Sequence, residues 1–219
     1  ALRAITQSSA NNSMYFEAWN KGASWLLTMQ NRDGGFGAFE KNVNNPIFAS
    51  IPLENAKDAA TDPSSADLTG RVLEFFGNFA GLTNDHPTIH AAVSWLDQHQ
   101  ERNGSWYGRW GVCYIYGTWA AITGLKAAGL SNSHPAIVKA VKWLVSIQNK
   151  DGGFGESCRS SEVKTYIPLS FSTPSQTAWA LDALLCVLDK KDAVIQRGIK
   201  RLMEPFDEKS SVYPTGIGL

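Results

Sequence analysis

Apolar residues return every three or four positions in two stretches of the chain, as Ile89, Val93 and Leu96 and as Val138, Val141 and Val145. That period predicts helices with one buried face. Both stretches follow a His-Pro pair, His86-Pro87 and His134-Pro135, and proline suits the first turn of a helix. Two other stretches, Val112 to Leu130 and Gln176 to Leu188, are apolar nearly all round, which predicts helices buried on every side. These carry register marks, Thr118-Trp119 and Thr177-Ala178, and Thr69-Gly70 stands in the same place earlier in the chain.

The one-faced helices end in a unit that recurs with variable spacing. Its first copy is Lys21-Gly22-Ala23-Ser24-Trp25-Leu26, then Gln30, then Asp33-Gly34-Gly35-Phe36. The second runs Ala91 to Leu96, Gln100 and Gly104-Ser105-Trp106, and the third Lys139 to Leu144, Gln148 and Asp151-Gly152-Gly153-Phe154. A fourth, Arg197-Gly198-Ile199-Lys200-Arg201-Leu202, begins and is never completed. Glycine ends each helix. Alternation of one-faced and wholly buried helices predicts an all-α fold with short or no strands. The expected architecture is an α/α toroid, whose outer helices face water and whose inner helices surround a cavity. Trp25, Trp95 and Trp143 then lie on outer helices near the glycine turns. Residues 1–219 read as part of one toroid domain, a partial ring truncated at both ends. Ala1 to Ile5 look like the tail of a helix begun earlier, and Tyr213 to Leu219 stop in a glycine-containing segment.

Composition removes several alternatives. The chain has 20 Lys plus Arg against 20 Asp plus Glu, so it lacks the basic field that nucleic-acid binding draws on. Its three cysteines, Cys113, Cys158 and Cys186, are an odd number without CxxC spacing, which points to reduced thiols in the cytoplasm. No stretch approaches the roughly 20 apolar residues of a membrane-spanning helix. His86 and His90 stand four apart, but the His-Pro pair recurs at a second helix start and no partner has ligand spacing, so no metal is expected. Cys158 lies in a Gly-Glu-Ser-Cys-Arg turn without a companion histidine. The segment Asn45 to Leu53 is an apolar loop that either folds on its own core or forms a substrate entrance.

A glutamine set before an aromatic across a glycine turn, after a Trp-Leu helix, is the QW repeat. With Thr61-Asp62-Pro63, the string Gly104 to Val112, Cys158-Arg159-Ser160 and the string Ser172 to Ala180, the chain resembles the triterpene cyclases of the squalene-hopene class. The resemblance covers essentially its whole length. It implies proton-initiated cyclisation of squalene or a related C30 to C35 isoprenoid, with tetraprenyl-curcumene as eligible as squalene, and no metal or organic cofactor. It also implies a cytoplasmic parent enzyme sitting monotopically on the membrane surface, with a homodimer allowed. The family's initiating acid is a DxDD motif, and none occurs in this sequence. By the resemblance it falls just before Ala1, so the isolated chain is expected to be inactive. A non-catalytic lipid-binding or scaffolding toroid remains an alternative. An α/α-toroid glycosidase needs two cavity carboxylates, and only Asp67 suggests itself.

The resemblance also nominates site residues. Trp110 matches a cavity tryptophan and Tyr116 a tyrosine near the acidic motif, although both residue types are often simple core. Aromatic faces stabilise a carbocation that water would quench. Phe39 falls where hopene-forming relatives carry tyrosine, or it packs near its turn. Asp67 matches an aspartate supporting the acidic motif, or it caps a helix. Arg71 stands where relatives have a histidine bonded to that motif. A fixed charge there would hold one carboxylate ionised while a desolvated neighbour stays protonated.

Overall fold

The structure, a computed structural model, describes residues 2–9, 12–44 and 61–204. The helices are α1 Leu2–Ser9, α2 Ser13–Thr28, α3 Ala66–Ala80, α4 Pro87–Gln98, α5 Cys113–Ala127, α6 Pro135–Ser146, α7 Arg159–Val163, α8 Pro174–Leu185 and α9 Ala193–Met203. Among the described residues, β pairing is limited to two isolated bridges, Val43 to Asp62 and Glu156 to Pro168. The all-α expectation is met. Ala1, the loop from Asn45 to Leu53 and the segment from Tyr213 to Leu219 lie outside the described residues.

Helices α1, α3, α5 and α8 pack side by side as an inner row, and α2, α4, α6 and α9 back them one by one. The tightest contact is α3 against α5. A Cβ on Gly70 would stand 2.2 Å from the carbonyl oxygen of Ala120, and one on Gly77 would stand 2.1 Å from that of Ala127. From the other side, a Cβ on Gly124 would meet the Gly70 oxygen at 2.4 Å. The two backbones therefore touch, and only glycine permits it.

The repeats staple one outer helix to the next. Gln30 Nε2 donates to the Gly34 carbonyl at 2.8 Å and to Thr88 in the first turn of α4 at 2.7 Å. Gln100 does the same to Gly104 and Ala136, both at 2.8 Å, and Gln148 to Gly152 and Val194 at 2.7 and 2.9 Å. The turn glycines have φ of +95° at Gly34, +99° at Gly104 and +89° at Gly152, each with its Cα pressed on the next outer helix. The register threonines take the next bond. The amides of Phe36, Trp106 and Phe154 donate to Thr69, Thr118 and Thr177 Oγ1, each at 3.0 Å, so every turn docks on the inner helix that follows it.

One expectation is corrected. The apolar helices α5 and α8 are not buried on every side: Tyr116, Trp119 and Trp179 are half-buried, and Ala178 and Asp182 are exposed. Among the described residues these aromatic side chains stay accessible, so they do not belong to a closed core. The three repeat tryptophans do lie on outer helices, but Trp25 is 58% exposed while Trp95 and Trp143 are 5% and 6%. Trp95 is covered because its indole N–H donates to Asp33 of the preceding turn at 3.0 Å; no described turn precedes Trp25. In the fourth copy Arg201 replaces the tryptophan and keeps the bond, donating from Nε to Asp151 at 2.8 Å.

Gly70→Ala forces a methyl into the backbone of α5, and overpacking of this kind costs about 3 kcal/mol or more. Gly81→Ala meets nothing within 4 Å and strains only a φ of +65°, so its cost stays near 1 kcal/mol. Urea unfolding of the two variants should separate them; equal stabilities would contradict the close α3–α5 approach.

Candidate active site

Helix α3 opens at Ser65, whose backbone is extended and takes the cap position. The helix-cap reading of Asp67 is therefore wrong. Asp67 sits inside the first turn, fully buried, and its Oδ2 accepts the amide N–H of Trp110 at 2.9 Å, while Oδ1 is buried without a partner. A buried oxygen in that state is costly unless something else donates to it.

One turn along α3, Arg71 is half-buried rather than solvated. Its Nη1 pairs with Glu74, and its guanidinium carbon lies 4.7 Å over the ring of Trp119. Glu74 also takes Arg3 Nη1 and Thr123 Oγ1, both at 3.4 Å. Across the α3–α5 contact stands Tyr116. Burial raises its phenol pKa, the negative charge of Asp67 raises it further, and Arg71 opposes both. Tyr116, Trp119 and Trp179 form one aromatic surface. The ring centroids of Tyr116 lie 5.6 Å from Trp119 and 5.0 Å from Trp179, and the two indoles stack 5.9 Å apart. Trp119 Nε1 donates to Asp182 at 2.7 Å.

Phe39 and Trp110 meet edge to face at 5.3 Å, 71% and 43% exposed respectively. Phe39 is thus not packed into the core beside its turn. The amide of Trp110 holds Asp67 while its ring holds Phe39, so all five nominated residues belong to one region.

The family described as the squalene-hopene cyclase C-terminal domain matches residues 1–213. The chain belongs to the squalene-hopene cyclase family. It is 61% identical to the sporulenol synthase of Bacillus subtilis and 47% identical to the squalene-hopene cyclase of Alicyclobacillus acidocaldarius, over 92% of its own length in both cases. It spans 32% of each of these relatives. The fold agrees with that of the type II terpene cyclase MstE from Scytonema, with TM-score 0.59, 19% identity and coverage of 87% of this chain and 50% of that one. The ent-copalyl diphosphate synthase of Streptomyces platensis superposes with TM-score 0.56 at 19% identity, over 86% of this chain and 32% of that one.

Within this squalene-hopene cyclase domain several residues of the site were not legible in the sequence. Glu74 and Asp182 are inner-row carboxylates beside Arg71 and Trp119, so Asp67 is not alone there. Their signal was faint: Asp182 is the one acidic residue of an otherwise apolar helix, and Glu74 follows Asp67 and Arg71 on α3 without a motif of its own. Asp62 gathers the Phe39 loop, taking the amides of Ala38, Phe39 and Glu40 at 2.9, 2.5 and 2.7 Å. Glu156, fully buried, plugs the start of α5: its Oε2 accepts the amides of Cys113, Tyr114 and Ile115 at 3.0, 2.9 and 2.9 Å. A carboxylate suits the positive end of a helix. Both acids lie in non-helical stretches, where the sequence gives no helical period to place them. His86 and His134 stand at helix starts. His86 Nδ1 accepts the Thr88 amide at 3.3 Å, and His134 Nε2 faces Asp97 at 3.6 Å. Cys113 is buried, Cys158 exposed and Cys186 half-buried, all as free thiols.

Burial pushes the Asp62 carboxyl up, but three backbone N–H bonds and the charge of Arg109 outweigh it, so its pKa falls below the usual 3.8. A depressed carboxylate stabilises the fold above its unfolded pKa and loses that contribution as pH drops through the lower folded value. Asp62→Asn should cost about 2 kcal/mol at pH 7, as for bonds to a charged acceptor, and the gap to the unsubstituted chain should close below the usual 3.8. Urea midpoints measured across that range check it; a gap independent of pH would contradict it.

Proposed function

We propose that this chain is the C-terminal third of a terpene cyclase that performs proton-initiated polycyclisation of squalene or a C35 relative such as tetraprenyl-curcumene. The observation that carries the reading is the aromatic surface of Tyr116, Trp119 and Trp179 beside the buried carboxylate of Asp67. A carboxylic acid outside these residues gives its proton to a terminal C=C bond. The resulting tertiary carbocation is attacked by the next double bond, each attack forming one C–C bond and moving the charge along, until a proton is lost or water adds. Aromatic faces lower the energy of each cation by about 0.5 to 2 kcal/mol per ring.

In this scheme Asp67, Arg71 and Tyr116 surround the donor, and Phe39 and Trp110 line the path of the hydrocarbon. The guanidinium has five N–H donors. Nη1 serves Glu74, and the others are assigned to an ionised carboxylate of the acidic motif. Asp67 Oδ1, buried and unpartnered, is assigned to the same motif. The higher identity to the sporulenol synthase favours a sporulenol-type product. The parent enzyme is read as cytoplasmic and monotopic, drawing substrate from the bilayer, with a homodimer allowed. Among the described residues no helix is long and apolar enough to cross a membrane.

The test is a chimera in which this chain replaces the matching third of the Bacillus subtilis sporulenol synthase. Incubated with squalene or tetraprenyl-curcumene and analysed by gas chromatography, the chimera should form a cyclic product, and the isolated chain none. Arg71→Ala in the chimera should cut turnover by about 100-fold, as removal of a single preorganised donor does. Arg71→His should recover part of it, and only on the acid side where imidazole is charged. A folded chimera inactive on both substrates, or product from the isolated chain, would overturn the reading.

A further inference from the structure

Trp119 is the side chain at which three inner helices converge. It leaves α5 one turn after Tyr116. From α3 the Arg71 guanidinium covers its ring at 4.7 Å, and Glu74 holds that guanidinium in place. From α8, Trp179 stacks with it at 19° between planes, and Asp182 Oδ2 accepts its indole N–H at 2.7 Å. Asp182 is the one acidic residue of α8 and is flanked by the buried residues Leu181 and Ala183. It is itself exposed, so the bond does little for stability. What it does is fix the direction of the indole.

An indole covered by a guanidinium and stacked on a second indole has little free π surface to offer a passing cation. Arg71 is the cation already seated there. Of the three rings of this surface, Tyr116 and Trp179 are left to face a carbocation. The contribution of Trp119 is then its volume, held rigidly where α3, α5 and α8 converge. Pocket volume discriminates between hydrocarbons, since one methylene of misfit is worth about 10- to 200-fold.

We infer that Trp119 is a specificity-determining wedge, clamped by Arg71 and Asp182, that sets the bulk of the isoprenoid the cavity admits. The inference rests on the cyclase reading above. It assigns Asp182 as a positioning residue that acts through Trp119.

Two measurements test it. In the chain itself, the indole N–H resonance of Trp119, assigned by its loss in Trp119→Phe, should move in Asp182→Leu, a readout that needs no turnover. In the chimera, an equimolar mixture of squalene and tetraprenyl-curcumene reports substrate preference. Trp119→Ala should shift the product ratio toward the ring-bearing tetraprenyl-curcumene by about tenfold. Asp182→Leu should shift it in the same direction and less far, with Asp182→Asn, which keeps an acceptor oxygen, closest to the unsubstituted ratio. Should Trp119→Ala fail to fold, Trp119→Phe and Asp182→Leu carry the comparison. An unmoved indole resonance contradicts the clamp. An active chimera whose product ratio is the same with and without the Trp119 indole overturns the wedge alone, whereas an unsubstituted chimera inactive on both substrates overturns the cyclase reading and the wedge with it.

Discussion

The contact of α3 with α5 through Gly70, Gly77 and Gly124 is the constraint on which the site depends. Asp67 and Arg71 lie on one of these helices, Tyr116 and Trp119 on the other. Backbone contact lets the Arg71 guanidinium reach over an indole of the neighbouring helix and lets the loop before α5 reach back to the Asp67 carboxylate. Side chains of ordinary size at the glycines would part the helices and pull these pairs beyond bonding distance. The glycines cost helix propensity of about 1 kcal/mol each, which the proximity they permit offsets.

Around that contact the repeats supply order by hydrogen bonds more than by hydrophobic matching. Each glutamine amide spends both protons on carbonyls, one in its own turn and one in the first turn of the next outer helix. Each aromatic residue offers its amide to a threonine of the following inner helix. The scheme tolerates exchange where the bond survives. Arg201 stands in for a tryptophan because its Nε–H reaches Asp151 as the indole N–H of Trp95 reaches Asp33.

The helix periods, the Gly turns and the His-Pro starts made the fold readable, because each is a local rule acting over a few residues. The threonine register marks were visible too, and their meaning came only from the bonds to Phe36, Trp106 and Phe154. Much less of the site could be read. Asp67 read equally as a support for the acidic motif and as a cap, because an acid near a helix start is often a cap, and its partner, the Trp110 amide, lies 43 positions away. Glu74, Asp182 and Glu156 gave little signal, since their roles follow from which helices adjoin. The inner helices looked wholly apolar, and a residue list does not distinguish a buried tryptophan from one that stays accessible.

Around the site the carboxylates Glu74, Asp182 and Asp67 outnumber the cations Arg3 and Arg71: Glu74 pairs with both arginines, Asp182 accepts the indole N–H of Trp119, and Asp67 stands behind Tyr116. In the cyclase reading proposed above, that negative charge keeps the fixed positive charge of Arg71 from repelling a carbocation and leaves the faces of Tyr116 and Trp179 to receive it. The direct test of that claim is the affinity of the purified chain for dodecyltrimethylammonium compared with dodecanol, read from tryptophan emission. The account predicts tighter binding of the cation by about tenfold, in line with two aromatic rings, and loss of that preference in a Tyr116→Ala, Trp179→Ala double variant. Equal affinity for the cation and the neutral alcohol, or a preference that survives the double variant, would contradict it.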